Sequence, residues 1–134
     1  MTIMMNLPKV GDSLPQVDIA ITRKLIVGGA IATRDYQDVH HDSEAAKAAG
    51  TQDIFMNILT TNGLVSRYVS DSFGHHAKIR KLSIRLGAPN FPGDTMSLTG
   101  SVVEADESQR LVLVRVQGRN SLGDHVTGEV ALAL

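Results

Sequence analysis

Apolar and polar positions fall into different regimes along this chain. The second half alternates with period two. In Met96-Ser97-Leu98-Thr99-Gly100-Ser101-Val102 the even positions are apolar or small and the odd ones polar, as in a strand with one buried face. Leu82, Ile84 and Leu86 share one face of an earlier strand, with Lys81, Ser83 and Arg85 on the other. Leu111–Val116 is nearly all branched aliphatic, and Val126, Val130, Leu132 and Leu134 mark a last strand. Turn-forming stretches at Pro89–Asp94, Ala105–Gln109 and Leu122–Asp124 separate these runs. The middle of the chain changes period. Ile54, Ile58, Val65 and Val69 recur at helical spacing, broadened by Leu64 and Tyr68, which predicts one long helix from Thr51 to about Ser72, ended by Phe73-Gly74. Phe55, Met56 and Leu59 carry apolar surface further round, so the helix should be wrapped by other structure.

Ahead of it, Ser43 is expected to cap a short helix through Ala49, with Gly50 as its stop. Two extended segments come earlier, Val17–Ile21 and Leu25–Thr33, the second bent at Gly28-Gly29. Residues 1–14 read as an irregular lead-in. One long helix followed by about four strands, with one or two before it, argues α+β with an antiparallel sheet. A single apolar-girdled helix beside a curled sheet is the hot dog arrangement.

Composition narrows the function classes. A length of 134 residues fits one domain spanning 1–134. Thirteen basic against fourteen acidic residues give a net charge of -1, which lacks the positive field of a nucleic-acid binder. Cysteine is absent, which removes disulfides, thiolate nucleophiles and Cys-based zinc sites and fits a reducing compartment. No basic region followed by a long apolar stretch opens the chain. The longest low-polarity run, Leu25–Ala32, is far short of the roughly 20 residues a membrane helix needs. A soluble cytoplasmic protein is expected.

The densest chemistry lies in Asp35-Tyr36-Gln37-Asp38-Val39-His40-His41-Asp42. Adding water across a conjugated double bond needs one group to deprotonate water and another to deliver a proton to the neighbouring carbon. A carboxylate and an imidazole around one water can share both tasks. Asp42 reads as a helix cap or a partner standing behind that pair. His40, His41 and Asp42 with His75-His76 make a poor metal site, because neighbouring side chains of an extended segment point to opposite sides. Gly28-Gly29 lacks the third spaced glycine of a dinucleotide loop. Lys78, Arg80, Lys81 and Arg85 read as a solvated strand face or, alternatively, as a contact for the phosphates of an acyl carrier. Gly63, inside the helical stretch, allows close packing against the sheet or space for an acyl chain.

The same octapeptide resembles the Asp-x-Asn-Pro-x-His-x-Asp signature of the MaoC-like acyl dehydratases. The resemblance implies Asp35 and His40 as the catalytic pair, with Asp42 on the last aspartate. Gln37 and Asp38 replace the usual Asn-Pro. The usual Ile-Ala-His-Gly-Met before the central helix is replaced by Ile54-Phe55-Met56-Asn57-Ile58, so the oxyanion-binding backbone N–H falls on Asn57. Longer strings, Ala32–Asp42, Asp53–Thr60 and Gly118–Val126, are similar to the small subunits of actinobacterial steroid side-chain enoyl-CoA hydratases. That likeness implies hydration of a 2-enoyl-CoA without metal or redox cofactor. It also implies a second MaoC-like hot dog subunit as partner, or a homodimer if the chain acts alone. Arg80 and Lys81 are the candidate CoA contacts. Two other readings stay open: a hot dog thioesterase using Asp53 at the start of the long helix, and a non-catalytic partner subunit.

Overall fold

The chain runs β1 (Ser13–Ala20), α1 (Arg23–Ala32), a 3-10 turn (Asp38–His40), α2 (Ser43–Ala48), α3 (Ile58–Phe73), β2 (Lys78–Leu86), β3 (Thr95–Asp106), β4 (Leu111–Asn120) and β5 (Gly123–Ala133). The computed structural model describes residues 7–134. Residues 1–6 of the expected lead-in lie outside the described residues, and the remainder is shorter than expected because β1 begins at Ser13.

All five strands join one antiparallel sheet in the order β1-β3-β4-β5-β2. Met96, Leu98 and Val102 of β3, Val112, Val114 and Val116 of β4, and Val126, Val130 and Leu132 of β5 are buried. They pack in one cluster with Val65, Tyr68, Val69 and Phe73 of α3. α3 also touches both edge strands, β1 and β2. Five flat strands would hold those edges about 19 Å apart, roughly twice a helix diameter. The sheet therefore curls round α3. This is the hot dog arrangement that the pattern predicts. Among the described residues, no helix is long and apolar enough to cross a membrane.

The departures lie before α3. Leu25–Thr33 is not a strand but mostly the helix α1, N-capped by Thr22, whose hydroxyl accepts the Leu25 N–H at 3.0 Å. Ile26 and Ala30, four apart, are both fully buried, and this packing outweighs the low helix propensity of Gly28-Gly29. α3 starts at Ile58 rather than Thr51, because Asn57 caps it and residues 51–57 take an irregular path. Asp42, not Ser43, caps α2, accepting the N–H groups of Glu44 and Ala45 at 3.0 and 3.3 Å. Gly63 is exposed, and a Cβ there would meet nothing within 4 Å. Close packing falls instead on Gly29, where a Cβ would overlap the Thr60 side chain.

Candidate active site

The turn after α1, the 3-10 turn and the stretch before α3 converge on Asp35, His40 and Asn57. Asp35 follows Arg34, which holds a left-handed φ of 56° and ends α1 sharply. The Asp35 N–H donates to the Ala30 carbonyl at 2.8 Å, and its side chain accepts the Gln37 N–H at 3.2 Å. The 3-10 turn then carries His40 inward to 6% exposure. His40 Nδ1 lies 2.6 Å from the Phe55 carbonyl oxygen. A carbonyl only accepts, so Nδ1 carries the hydrogen and Nε2 is the nitrogen free to take or give a proton. That Nε2 stands 3.3 Å from Asp35 Oδ2.

Asn57 serves the site twice. Its side-chain oxygen accepts the Thr60 N–H at 3.0 Å, capping α3. Its side-chain nitrogen donates to Asp35 Oδ2 at 3.1 Å and to the Thr33 hydroxyl at 2.9 Å. The Asn57 backbone N–H donates to no protein group among the described residues. It sits at the positive end of a 16-residue helix, where developing negative charge is stabilised. The Asn57 amide, above all, and the Gln37 N–H hold the Asp35 carboxyl below the usual carboxylate range; His40 and His41 add to this and burial opposes it. Asp35 is therefore ionised at neutral pH.

A cleft of about 410 Å³ opens beside these groups, lined by His40, Phe55, Asn57 and Ile58 on one wall and Leu86, Gly87, Pro89 and His125 on another. Asp35 is not among its lining residues and meets it through His40. His125 is buried, with Nδ1 donating to the Ala88 carbonyl at 2.8 Å and Nε2 accepting the Thr61 hydroxyl at 2.8 Å. Burial pushes its pKa down. His125 is not among the site residues that the sequence predicts. Its signal, a histidine beside buried Val126 at the foot of a strand, was readable only once the turn at 87–88 closed over it.

The remaining candidates are placed elsewhere. Asp42 caps α2 and bonds none of the three site residues. Arg80 and Lys81 are exposed on β2, about 20 and 17 Å of strand from Leu86 at the cleft. Arg80 borders a separate hollow of about 480 Å³ with Glu104 and Asp106, and Lys81 faces Glu129 and Ser83. The structure does not bring this pair to the dyad. Asp53 precedes α3 instead of lying on it. It is bound by Arg23 at 3.0 and 2.5 Å, by Ser43 at 2.8 Å and by the Ile54 N–H at 2.8 Å. Arg23 is the main reason its carboxyl lies far below the usual range. Among the described residues, no three His, Asp or Glu side chains gather as a metal cage requires.

A family model described as a MaoC like domain matches residues 6–122. This chain belongs to the MaoC-like family. Within it, the chain is 47% identical over 125 residues to the 3-oxo-4,17-pregnadiene-20-carboxyl-CoA hydratase beta subunit of Mycobacterium tuberculosis, covering 93% of this chain and 95% of that one. A chain in the crystal structure of the ChsH1-ChsH2 complex from Mycobacterium tuberculosis superposes with a TM-score of 0.91 at 47% identity, covering 94% of this chain and 98% of that one. The (R)-hydratase from A. caviae involved in PHA biosynthesis superposes with a TM-score of 0.86 at 18% identity, over 94% of this chain and 96% of that one. This last likeness concerns the fold alone. Family and relative agree with the expectation of a hydratase-type MaoC-like enzyme.

Proposed function

We propose that this MaoC-like chain is the dyad-bearing subunit of a heteromeric hydratase that adds water to a 2-enoyl-CoA, with a steroid side-chain thioester as substrate. The observation that carries the reading is the 3.3 Å approach of His40 Nε2 to Asp35 Oδ2 beside an unengaged Asn57 N–H. The substrate class follows from the name of the 47% identical relative.

In the reaction, the thioester carbonyl accepts the Asn57 N–H, which draws electron density from C3. A water held by Asp35 and His40 adds its hydroxyl to C3 as the dyad takes its proton. The dyad returns that proton to C2, so one water is consumed and no CoA is released. No metal or redox cofactor enters this scheme. The cysteine-free sequence and a CoA substrate fit a cytoplasmic setting.

The partner is a second MaoC-like subunit. Ile58 and Leu86 at the cleft are 49% and 37% exposed, and Tyr36 beside Asp35 is 68% exposed. Such large apolar groups round a site are covered in the working assembly. Among the described residues β2 pairs only with β5, and its other edge can receive a strand. Thioester hydrolysis through Asp53 is disfavoured because that carboxylate is already saturated by Arg23, Ser43 and the Ile54 N–H.

The test is to co-purify the chain with its native partner and assay loss of the enoyl chromophore and release of thiol. Asp35→Asn and His40→Asn should each lower hydration by about 10²-fold or more without loss of assembly. Undiminished turnover in both variants, or stoichiometric thiol release, overturns the reading.

A further inference from the structure

We propose that the side chain of Asn57, separately from its backbone N–H, is a positioning residue that fixes the Asp35 carboxylate against His40; this rests on the dyad reading above. The Asn57 amide is 3% exposed and every hydrogen-bonding position on it is used. One end faces the Thr60 N–H at 3.0 Å and the Thr60 hydroxyl at 2.5 Å, and a main-chain N–H can only donate, so that end is the oxygen. The other end is the NH2 group, directed at Asp35 Oδ2 and the Thr33 hydroxyl.

Both anchors of this amide are themselves held. Thr33 gives its hydrogen to the α1 carbonyls of Gly29 and Ala30, at 2.8 and 3.1 Å, so its lone pair is open to Asn57. Thr60 packs on Gly29, where any larger residue would collide with it. The amide thus ties the end of α1 to the start of α3. Asp35 hangs from that tie, since its only other side-chain donor among the described residues is the Gln37 N–H at 3.2 Å. An aspartate on a turn with one backbone tether turns freely about its side-chain bonds. With Asn57 in place, both its oxygens are directed, one towards the amide and one towards Gln37. The charged or titratable groups facing it are His40 through Nε2 and His41, whose Nε2 bonds the Asp35 carbonyl at 2.7 Å; Arg34 adjoins it in the chain.

Asn57→Ser keeps the backbone N–H and a capping oxygen but loses the reach to Asp35. Asn57→Asp keeps the cap and sets a second carboxylate against Asp35. In the assembled complex, both should lower kcat about tenfold or more while KM changes less than threefold, as expected when a reacting group is misplaced and substrate binding is spared. The Asp35 carboxyl, followed by 13C NMR, should titrate at higher pH in both variants than in the wild type, and most in Asn57→Asp. A role confined to capping α3 would move the melting temperature and leave that titration where it was. Wild-type kcat with an unmoved Asp35 titration overturns the proposal. So does a wild-type Asp35 that titrates at the ordinary carboxylate pH, a result that needs no variant to fold. If Asp35→Asn is inactive while Asn57→Ser is fully active, only this inference fails; if Asp35→Asn is itself active, the dyad reading fails first.

Discussion

His40 and His125 stand on different walls of one cleft and share half of their chemistry. Each is buried, and each gives its Nδ1 hydrogen to a main-chain carbonyl, Phe55 in one wall and Ala88 in the other. They part at Nε2. That of His40 faces the ionised Asp35, a group able to share a proton or a water with it. That of His125 is closed by the Thr61 hydroxyl. The wall before α3 leaves a histidine nitrogen facing a carboxylate, and the wall from β5 closes its histidine nitrogen with a hydroxyl. A histidine in a cleft is therefore not a site by virtue of its ring; the neighbour of its second nitrogen decides.

The same substitution separates the two. Asn keeps a donor near the Nδ1 position, so His40→Asn and His125→Asn each retain the carbonyl bond. His40→Asn should cost about 10²-fold or more in kcat, and His125→Asn less than tenfold, measured on an enoyl-CoA in the assembled complex. Equal losses would erase the distinction between the walls. A smaller effect tests the closure itself. Thr61→Val leaves the His125 Nε2 acceptor without a partner in a buried place and should lower stability by about 1–3 kcal/mol in urea unfolding.

Acid sharpens the contrast further. Burial holds His125 below the ordinary imidazole value of 6.5, so near that pH the unfolded chain binds a proton there that the folded chain refuses. This share of stability is complete above about pH 6.5, falls as pH drops towards the lower folded value, and levels off beneath it. His125→Asn should flatten the corresponding slope of urea midpoints between about pH 7 and pH 5. The smallest effect is expected on the outer face of β2. Arg80→Glu and Lys81→Glu should leave KM for the CoA thioester within about twofold, because neither residue reaches the cleft; a tenfold rise would return these cations to the site.

Legibility in the sequence divides along the same line. The strands after α3 follow from alternation alone, since each buries one face against α3 and the period is fixed by the pleat. Asp35 and His40 were legible as a pair through their spacing and family likeness. What sequence hides is held by bonds between distant segments. α1 reads as a strand because Ile26, Val27 and Ile31 are β-branched and two glycines interrupt it; only contact with Thr60 explains why Gly29 belongs in a helix. The start of α3 is hidden because Ile54 and Met56 are buried like helix residues while lying in the irregular stretch before it. Asn57 was legible as an N–H, but its amide gains meaning only when Thr33 and Asp35, 24 and 22 residues earlier, come within reach.

The tether on His40 Nδ1 has a consequence of its own. It is a main-chain oxygen, and the aromatic ring of Phe55 meets the imidazole edge-on at a centroid distance of 4.9 Å. Exchange of that ring for another side chain leaves the oxygen in place. A change of side chain at position 55 therefore reshapes the cleft without rewriting which His40 nitrogen holds the hydrogen. Cleft shape and imidazole tautomer are separable here at a single residue.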